Sequence, residues 1–171
     1  MKKKIKIICS NYYSLISNEM IKIARKELSK YDCKIIEVPG CFEIPYMIAK
    51  SLKEDKSENL NNIYSWKGKK KNEIRNNIIK ITKLNQLNLD NQNIYSGYLA
   101  LGCIIKGKTI NHEVISLSIF SNIQKLSIKN IIPIGNGIFN ANNLKEAKLK
   151  LNDCTKQACK VLNNFIDEKK N

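Results

Sequence analysis

The sequence predicts a three-layer α/β/α domain in which a four-stranded parallel sheet lies between two layers of helices. Short apolar segments alternate with longer segments whose apolar residues recur at helical spacing, and this alternation is typical of a parallel sheet covered on both faces. Glycine ends or follows three of the four apolar segments, which marks strand ends. The length of 171 residues suits one domain, residues 1–171, with one core.

Two strands and two helices are predicted in the first half of the chain. Lys4 to Cys9 is the first predicted strand, and apolar residues at steps of three and four predict a helix from about Leu15 to Ser29. Lys34 to Val38 is the second predicted strand and ends at Pro39-Gly40. A second helix is predicted from Glu43 to Leu52, with its apolar residues on one face.

Two more strands and two more helices are predicted in the second half. In chain order they are a strand Tyr98–Gly102, a loop Lys106–Thr109, a helix from about Asn111 to Ser127, a strand Ile131–Ile134 closed by Gly135-Asn136-Gly137, and a helix from about Asn143 to Asp167. Ligands of such folds bind beyond the carboxyl ends of the strands. We therefore expect the functional site near the residues that follow the strands: Asn11, Pro39-Gly40, Gly102–Thr109 and Gly135–Asn140.

Residues from about 53 to 93 form a polar segment rich in Asn and Lys, which we interpret as a partly disordered surface insertion. The segment has no clear hydrophobic period, although Ile74 to Leu84 is a candidate short amphipathic helix. An alternative is that Trp66 packs the insertion against the core.

The formal net charge of +15 raises the hypothesis of nucleic-acid binding, because lysine and arginine neutralise phosphates. Only Arg25 and Arg75 are arginines, and the abundance of Lys, Asn and Ile is what an AT-rich coding bias produces. The charges are scattered rather than laid along a stripe with interleaved aromatic residues. We therefore do not expect nucleic-acid binding as the main function.

The remaining composition favours a cytoplasmic protein. No apolar run reaches the roughly 18 residues that cross a bilayer, so no membrane association is expected. The basic start resembles a signal peptide, but Lys6 interrupts the apolar residues and no cleavage site follows. None of the six cysteines forms a CxxC pair and the chain has one histidine, so neither disulfides nor a metal site is expected.

Three motifs, taken together, resemble the lumazine synthase family. Val38–Pro45, VPGCFEIP, is similar to that family's VPGxxEIP block, and Ala100–Thr109, ALGCIIKGKT, is similar to its ALGxVIRGxT block. Ile134–Ile138 followed by Asn143 resembles its fourth strand and following turn. The likeness covers nearly the whole chain outside the 53–93 insertion.

The resemblance implies a flavodoxin-like fold and the penultimate step of riboflavin biosynthesis. A transferase of this family condenses 5-amino-6-(D-ribitylamino)uracil with 3,4-dihydroxy-2-butanone 4-phosphate and releases phosphate and water, without a metal or an organic cofactor. The resemblance also implies a homo-oligomer, a pentamer or a multiple of pentamers, in which a neighbouring subunit completes each pocket.

Phosphate contacts are implied at three residues. Lys108 and Thr109 precede a helix, where main-chain amides bind anions, and an ordinary strand-to-helix turn is the alternative. Lys150 takes the place of a family arginine and keeps its charge without the bidentate fork, although a solvated charge is equally compatible. The family's later helix lysine falls at Ala158, so that contact is missing unless Lys156 supplies it.

The pyrimidine contacts are implied by the same alignment. Tyr12 stands where the family has a stacking phenylalanine, with core packing as the alternative. Glu43 is expected to accept hydrogen bonds from the ribityl hydroxyls, or to cap the helix that follows, while Cys41 and Phe42 contribute main-chain groups. Further substrate contacts are implied at Cys103, Ile104, Ile105 and Asn136.

The proton carrier is the position where the chain departs from the family pattern. The family has a histidine two positions after the threonine of its GxT loop, whereas here Asn111 occupies that place and His112 follows. We favour His112 over Asn111 because imidazole titrates near neutrality and the family chemistry calls for a histidine.

Two further hypotheses stay open for the whole chain. One is an eroded homologue that assembles and binds flavin-like ligands without turnover, and the other is a basic flavodoxin-like module that binds nucleic acid.

Overall fold

A computed structural model describes residues 2–64, 94–107 and 111–167 of the chain. The strands are β1 Lys4–Ser10, β2 Asp32–Val38, β3 Gly97–Ile105 and β4 Ile134–Ala141, and the helices are α1 Ser14–Glu27, α2 Ile44–Tyr64, α3 Asn111–Asn130 and α4 Leu144–Asp167. The strands form one sheet in the order β2–β1–β3–β4, and every pair is parallel. The predicted α/β fold class, a four-stranded parallel sheet between helices, is confirmed.

The two faces of the sheet are both buried, because side chains alternate along each strand. On one face, Ile5, Ile7 and Cys9 of β1 belong to a core cluster that also contains buried residues of α1 and α4. On the other face Ile8 and Ser10 are buried on the side where α2 begins. No helix within the described ranges is long and apolar enough to cross a membrane.

The chain divides into two compact units, Met1–Ser51 with Tyr95–Asn171, and Leu52–Ile94. The predicted second helix is extended by the structure, since α2 continues from Ile44 to Tyr64 instead of ending at Leu52. The predicted 53–93 insertion falls in the second unit. Its remaining features, Trp66 and the candidate helix Ile74 to Leu84, lie outside the described residues.

The fourth strand is the part of the fold for which the sequence-based prediction was wrong. The prediction gave a strand Ile131–Ile134 closed by a Gly135-Asn136-Gly137 turn, but β4 runs from Ile134 to Ala141 and contains both glycines. A Cβ at Gly135 would overlap the main-chain oxygen of Ala158 in α4. These glycines therefore allow a helix to approach the strand closely, which is a second use of glycine besides forming turns.

The α3 helix ends in a Schellman motif whose left-handed residue is Ile131. The Ile132 amide donates to the carbonyl of Ser127 at 3.2 Å and the Ile131 amide donates to that of Ile128 at 3.3 Å, which is the 6→1 and 5→2 pattern of this motif. Ile131 has φ of 48°, a conformation that a β-branched residue rarely adopts. Strain is therefore stored at this helix end.

Ile131→Gly should raise the free energy of unfolding by about 1 kcal/mol, because the left-handed conformation costs an L-residue roughly 1–2 kcal/mol. The side chain is 78% exposed, so little packing is lost with it. Urea denaturation monitored by circular dichroism measures the change. The control is Ile128→Gly, an exposed residue inside α3, which should lower stability; a similar loss in both variants would contradict the assignment.

Candidate functional site

An open cleft of about 300 Å³ lies at the carboxyl ends of β1, β2 and β3. Its walls come from the residues after β1, the turn after β2, the end of β3 and the first turns of α3. The predicted site residues that line it are Tyr12, Cys41, Phe42, Cys103, Ile104, Ile105, Asn111 and His112. Parallel strands bring their carboxyl ends to one edge, and this explains why residues distant in sequence meet here.

Three of the predicted site residues that the structure describes do not line the cleft. Glu43, Asn136 and Lys150 lie elsewhere in the described structure, and Lys108 and Thr109 lie outside the described residues. The cleft also contains Tyr13 and Ile115, which the sequence analysis did not single out, and Gly40 and Gly107, which lie in loops expected at the site. Tyr13 directly follows Tyr12, so the adjacent aromatic pair was the available signal.

Aromatic side chains form one wall of the cleft. The Tyr12 ring is 72% exposed and contacts the Tyr13 ring edge-to-face, with centroids 4.9 Å apart. Phe42, in the short turn that follows β2, is 64% exposed. Exposed aromatic faces of this kind suit a flat ring, and the exposure of Tyr12 excludes core packing as its role. Burial, and then the neighbouring Tyr12, raise the pKa of Tyr13.

Two thiols form part of the cleft floor. The Cys41 thiol donates to the carbonyl oxygen of Cys103 at 3.6 Å, and Gly102 makes room for it, because a Cβ there would lie 2.5 Å from Cys41 Sγ. Burial raises the pKa of Cys41 to about 11 and that of Cys103 to about 12. Both thiols are therefore protonated near neutral pH and serve packing rather than nucleophilic attack.

Glu43 lies in a 3₁₀ turn, Cys41–Glu43, that links β2 to α2. Its half-buried carboxylate packs against Gly40, where a Cβ would come within 2.9 Å of Oε2. Glu43 immediately precedes α2, which begins at Ile44, and the helix dipole favours a negative charge at that end. This placement leaves both predicted roles, ribityl acceptor and helix-start charge, compatible with the structure.

Both candidate proton carriers reach the cleft. Because α3 begins at Asn111, Asn111 and His112 are its first two residues, and both line the cleft although they differ by one step on the helix. The His112 side chain is 13% exposed, and its Nε2 lies 3.8 Å from Glu113 Oε1. Asn111 is exposed. The amino-terminal end of α3 therefore presents both side chains.

Lys150 is held on α4 by acceptors outside the cleft. It forms an ion pair with Glu146 and donates to the Asn140 carbonyl at 3.3 Å. The Lys150 hydrogen bond is the main cause that lowers the pKa of Glu146 to about 2, and Glu146 in turn raises the pKa of Lys150. Lys150 is thus a charged, half-exposed group positioned at the start of α4.

Three further positions constrain how much of the family pattern the chain can keep. Ala158 is 2% exposed and packs against the glycines of β4, so a lysine side chain has no space there. Lys156 is exposed and is not among the residues lining the cleft. Asn136 lies in the middle of β4, in register with Ala100, and its side-chain oxygen accepts from the Ile138 amide at 3.1 Å.

A resident metal has no clear binding place in the part of the chain that the structure describes, because no group of three or more His, Cys, Asp or Glu side chains is arranged to hold one. The groups that the cleft offers are aromatic rings, main-chain polar groups, an amide and an imidazole. Such a set binds a flat polar ring and moves protons.

Comparison with known proteins gives a consistent result. The family model described as 6,7-dimethyl-8-ribityllumazine synthase matches residues 2–62 and 78–166. Relatives described by the same words include a protein of Buchnera aphidicola, 29% identical over 152 residues, which are 85% of this chain and 72% of that protein. Others are from Afipia carboxidovorans, 28% identical over 84% of this chain and 69% of its own, and Ruthia magnifica, 27% identical over 85% and 70%.

Gly102→Ala should lower the free energy of unfolding by about 1–3 kcal/mol, as overpacking does, because the new methyl meets Cys41 Sγ. Adding Cys41→Ala should restore most of the loss, since it removes the colliding atom. A double-mutant cycle in urea measures this coupling. If the two substitutions have additive effects, Cys41 and Gly102 do not contact each other as described.

Proposed function

The chain belongs to the 6,7-dimethyl-8-ribityllumazine synthase family, and from this premise we propose that it catalyses that synthase reaction in riboflavin biosynthesis. The substrates are 5-amino-6-(D-ribitylamino)uracil and 3,4-dihydroxy-2-butanone 4-phosphate. The observation that carries the proposal is one cleft in which exposed aromatic rings face the first residues of α3, His112 and Asn111.

The pyrimidine ring stacks on Tyr12 in this proposal. The 72% exposed ring offers a free face, and Tyr13 braces it edge-to-face. Main-chain groups of Cys41 and Phe42, together with those at the end of β3, hydrogen-bond the edge of the pyrimidine. Glu43 accepts hydrogen bonds from the ribityl hydroxyls, since a carboxylate offers only acceptors.

The ketone phosphate binds at the amino-terminal end of α3. Main-chain amides and the helix dipole favour an anion there, and in the sequence Lys108 and Thr109 lie just before that helix, separated from it by Ile110. Lys150 supplies a second positive charge. Because Lys150 does not line the cleft of its own chain, we assign it to the cleft of a neighbouring subunit, along with Asn136.

The reaction needs positioning and proton transfer. The amine of the pyrimidine adds to the ketone and water leaves to give an imine; loss of a carbon-bound proton then expels phosphate, and ring closure and dehydration give the product. His112 carries protons in these steps, and Asn111 orients the phosphate or a water molecule. Acid–base catalysis of this kind contributes roughly 10²–10⁴ in rate.

A homo-oligomer, a pentamer or a multiple of pentamers, is the assembly that we propose. Large apolar side chains near the starts of three helices are more than half exposed in the single chain: Tyr12, Leu15, Phe42, Tyr46, Val114 and Leu117. Exposed apolar surface of this extent is typical of an interface.

We propose that the protein acts in the cytoplasm, where six free cysteines are stable as thiols.

The wild-type protein should form the lumazine and inorganic phosphate in equal amounts from the two substrates. His112→Ala should lower kcat about 10²-fold or more with the KM values nearly unchanged, while Asn111→Ala should have the smaller effect. Lumazine absorbance and phosphate release measure both. A wild-type protein that binds the pyrimidine without turnover would instead support the hypothesis of an eroded homologue. The presence of Ala158 where the family has a lysine favours that hypothesis.

Each of the variants His112→Ala and Lys150→Ala should have low activity alone, and mixing them should restore part of the activity if Lys150 serves a neighbour's cleft. In co-assembled His112→Ala and Lys150→Ala chains, a cleft with its own His112 can receive Lys150 from the other variant, and random mixing gives about a quarter of the clefts both groups. The matched control is Lys148→Ala, an exposed lysine on the same helix, which should retain full activity. No recovery in the mixture would assign Lys150 to its own chain's cleft or to no cleft.

A further inference from the structure

The hydroxyl of Ser116 joins α3 to the end of β4. Ser116 is 2% exposed, and its Oγ lies 2.6 Å from the His112 carbonyl oxygen and 2.7 Å from the Asn140 side-chain oxygen. It is the first buried side chain of α3, and the next two are the apolar Ile119 and Ile123. The start of the helix is therefore attached to the sheet through a polar contact, whereas its middle is held by apolar packing.

The Ser116 hydroxyl has two acceptors within hydrogen-bond distance, the His112 carbonyl oxygen and Asn140 Oδ1. A serine hydroxyl has one proton and cannot donate to two oxygens at once. An asparagine amide can exchange its oxygen and nitrogen by turning over, and Nδ2 of Asn140 then donates to Ser116 Oγ. We therefore assign the amide in its turned orientation, in which Nδ2 of Asn140 donates to the Ser116 hydroxyl and that hydroxyl donates to the His112 carbonyl.

Asn140 is well placed to fix the position of the first turn of α3 relative to the cleft. It is in register with Ile104 of β3, a residue of the cleft wall, and cross-strand partners point to the same face of a sheet. Its main-chain carbonyl also accepts the hydrogen bond from Lys150. One residue thus contacts both the helix that carries His112 and the lysine proposed for the phosphate.

We propose that Ser116 and Asn140 are positioning residues that hold the first turn of α3, and with it His112 and Asn111, at the cleft. This inference rests on the proposed function for its catalytic meaning. Neither side chain needs to touch the substrates. A displacement of about 1 Å of a catalytic group can cost about 10²-fold in rate, so loss of this contact should reduce turnover more than binding.

The kinetic test compares Ser116→Ala and Asn140→Leu with Ser118→Ala, an exposed serine of the same helix. The first two variants should lose roughly ten- to a hundred-fold in kcat, with both KM values within about twofold of wild type, and Ser118→Ala should behave as wild type. Ser116→Thr keeps the hydroxyl and should recover most of the rate. Unchanged kcat, or equal losses in kcat and substrate affinity, would overturn the proposal.

A second measurement separates this inference from the proposed function. The chain has one histidine, so ¹³C-labelled histidine gives one assignable NMR signal for His112. That signal should shift in Ser116→Ala and Asn140→Leu and stay unchanged in Ser118→Ala, whether or not the protein forms a lumazine. An unmoved signal in both test variants would overturn the positioning role.

A third variant distinguishes loss of the hydrogen bond from unfolding of the protein. Asn140 is exposed, so Asn140→Asp should fold and assemble with a melting temperature and particle mass close to those of wild type. An ionised carboxylate cannot donate a hydrogen bond. It therefore competes with the main-chain carbonyl of His112 for the hydroxyl proton of Ser116. Asn140→Asp should therefore also shift the histidine signal and lower kcat, and a wild-type signal and rate in this variant would contradict the hydrogen-bond direction.

Discussion

The pairing of β1 on both sides is the constraint on which the rest of the structure depends. β1 is in parallel register with β2, from Lys4 opposite Asp32, and with β3, from Ile5 opposite Gly97. Since all three strands run the same way, their following residues meet at one edge and form the cleft. A one-residue slip would turn the buried faces of β1 over and would separate Tyr12 from the Cys41 and Cys103 walls.

Most of the fold and much of the cleft could be predicted from the sequence because both follow from alternation and strand ends. The β4 strand could not, because Gly135 and Gly137 are locally indistinguishable from turn glycines; only the approach of Ala158, more than twenty residues away, explains them. Tyr13 was missed because only the Tyr-Tyr pair itself signals it, and the sequence does not show that both rings line the cleft.

Site chemistry depends on burial in ways that composition does not reveal. Cys41 and Cys103 lie in the cleft, where a thiol suggests a nucleophile, yet burial raises their pKa values far above neutrality and leaves them as packing groups. Lys150, in contrast, carries a charge that does not line the cleft of its own chain and is held in place by Glu146. Such a preorganised cation is consistent with a site that two subunits share, and it links the proposed catalysis to assembly.

The central claim is that the flat ring of the pyrimidine lies on Tyr12 in the cleft at the carboxyl ends of the strands. A crystal structure of the assembled protein with 5-amino-6-(D-ribitylamino)uracil alone tests it most directly. The account predicts the ring on the free face of Tyr12, with its edge toward the main chain of Cys41 and Phe42. A ring bound instead in the separate groove beside Tyr46 and Lys125, or no bound ring at saturating concentration, would contradict it.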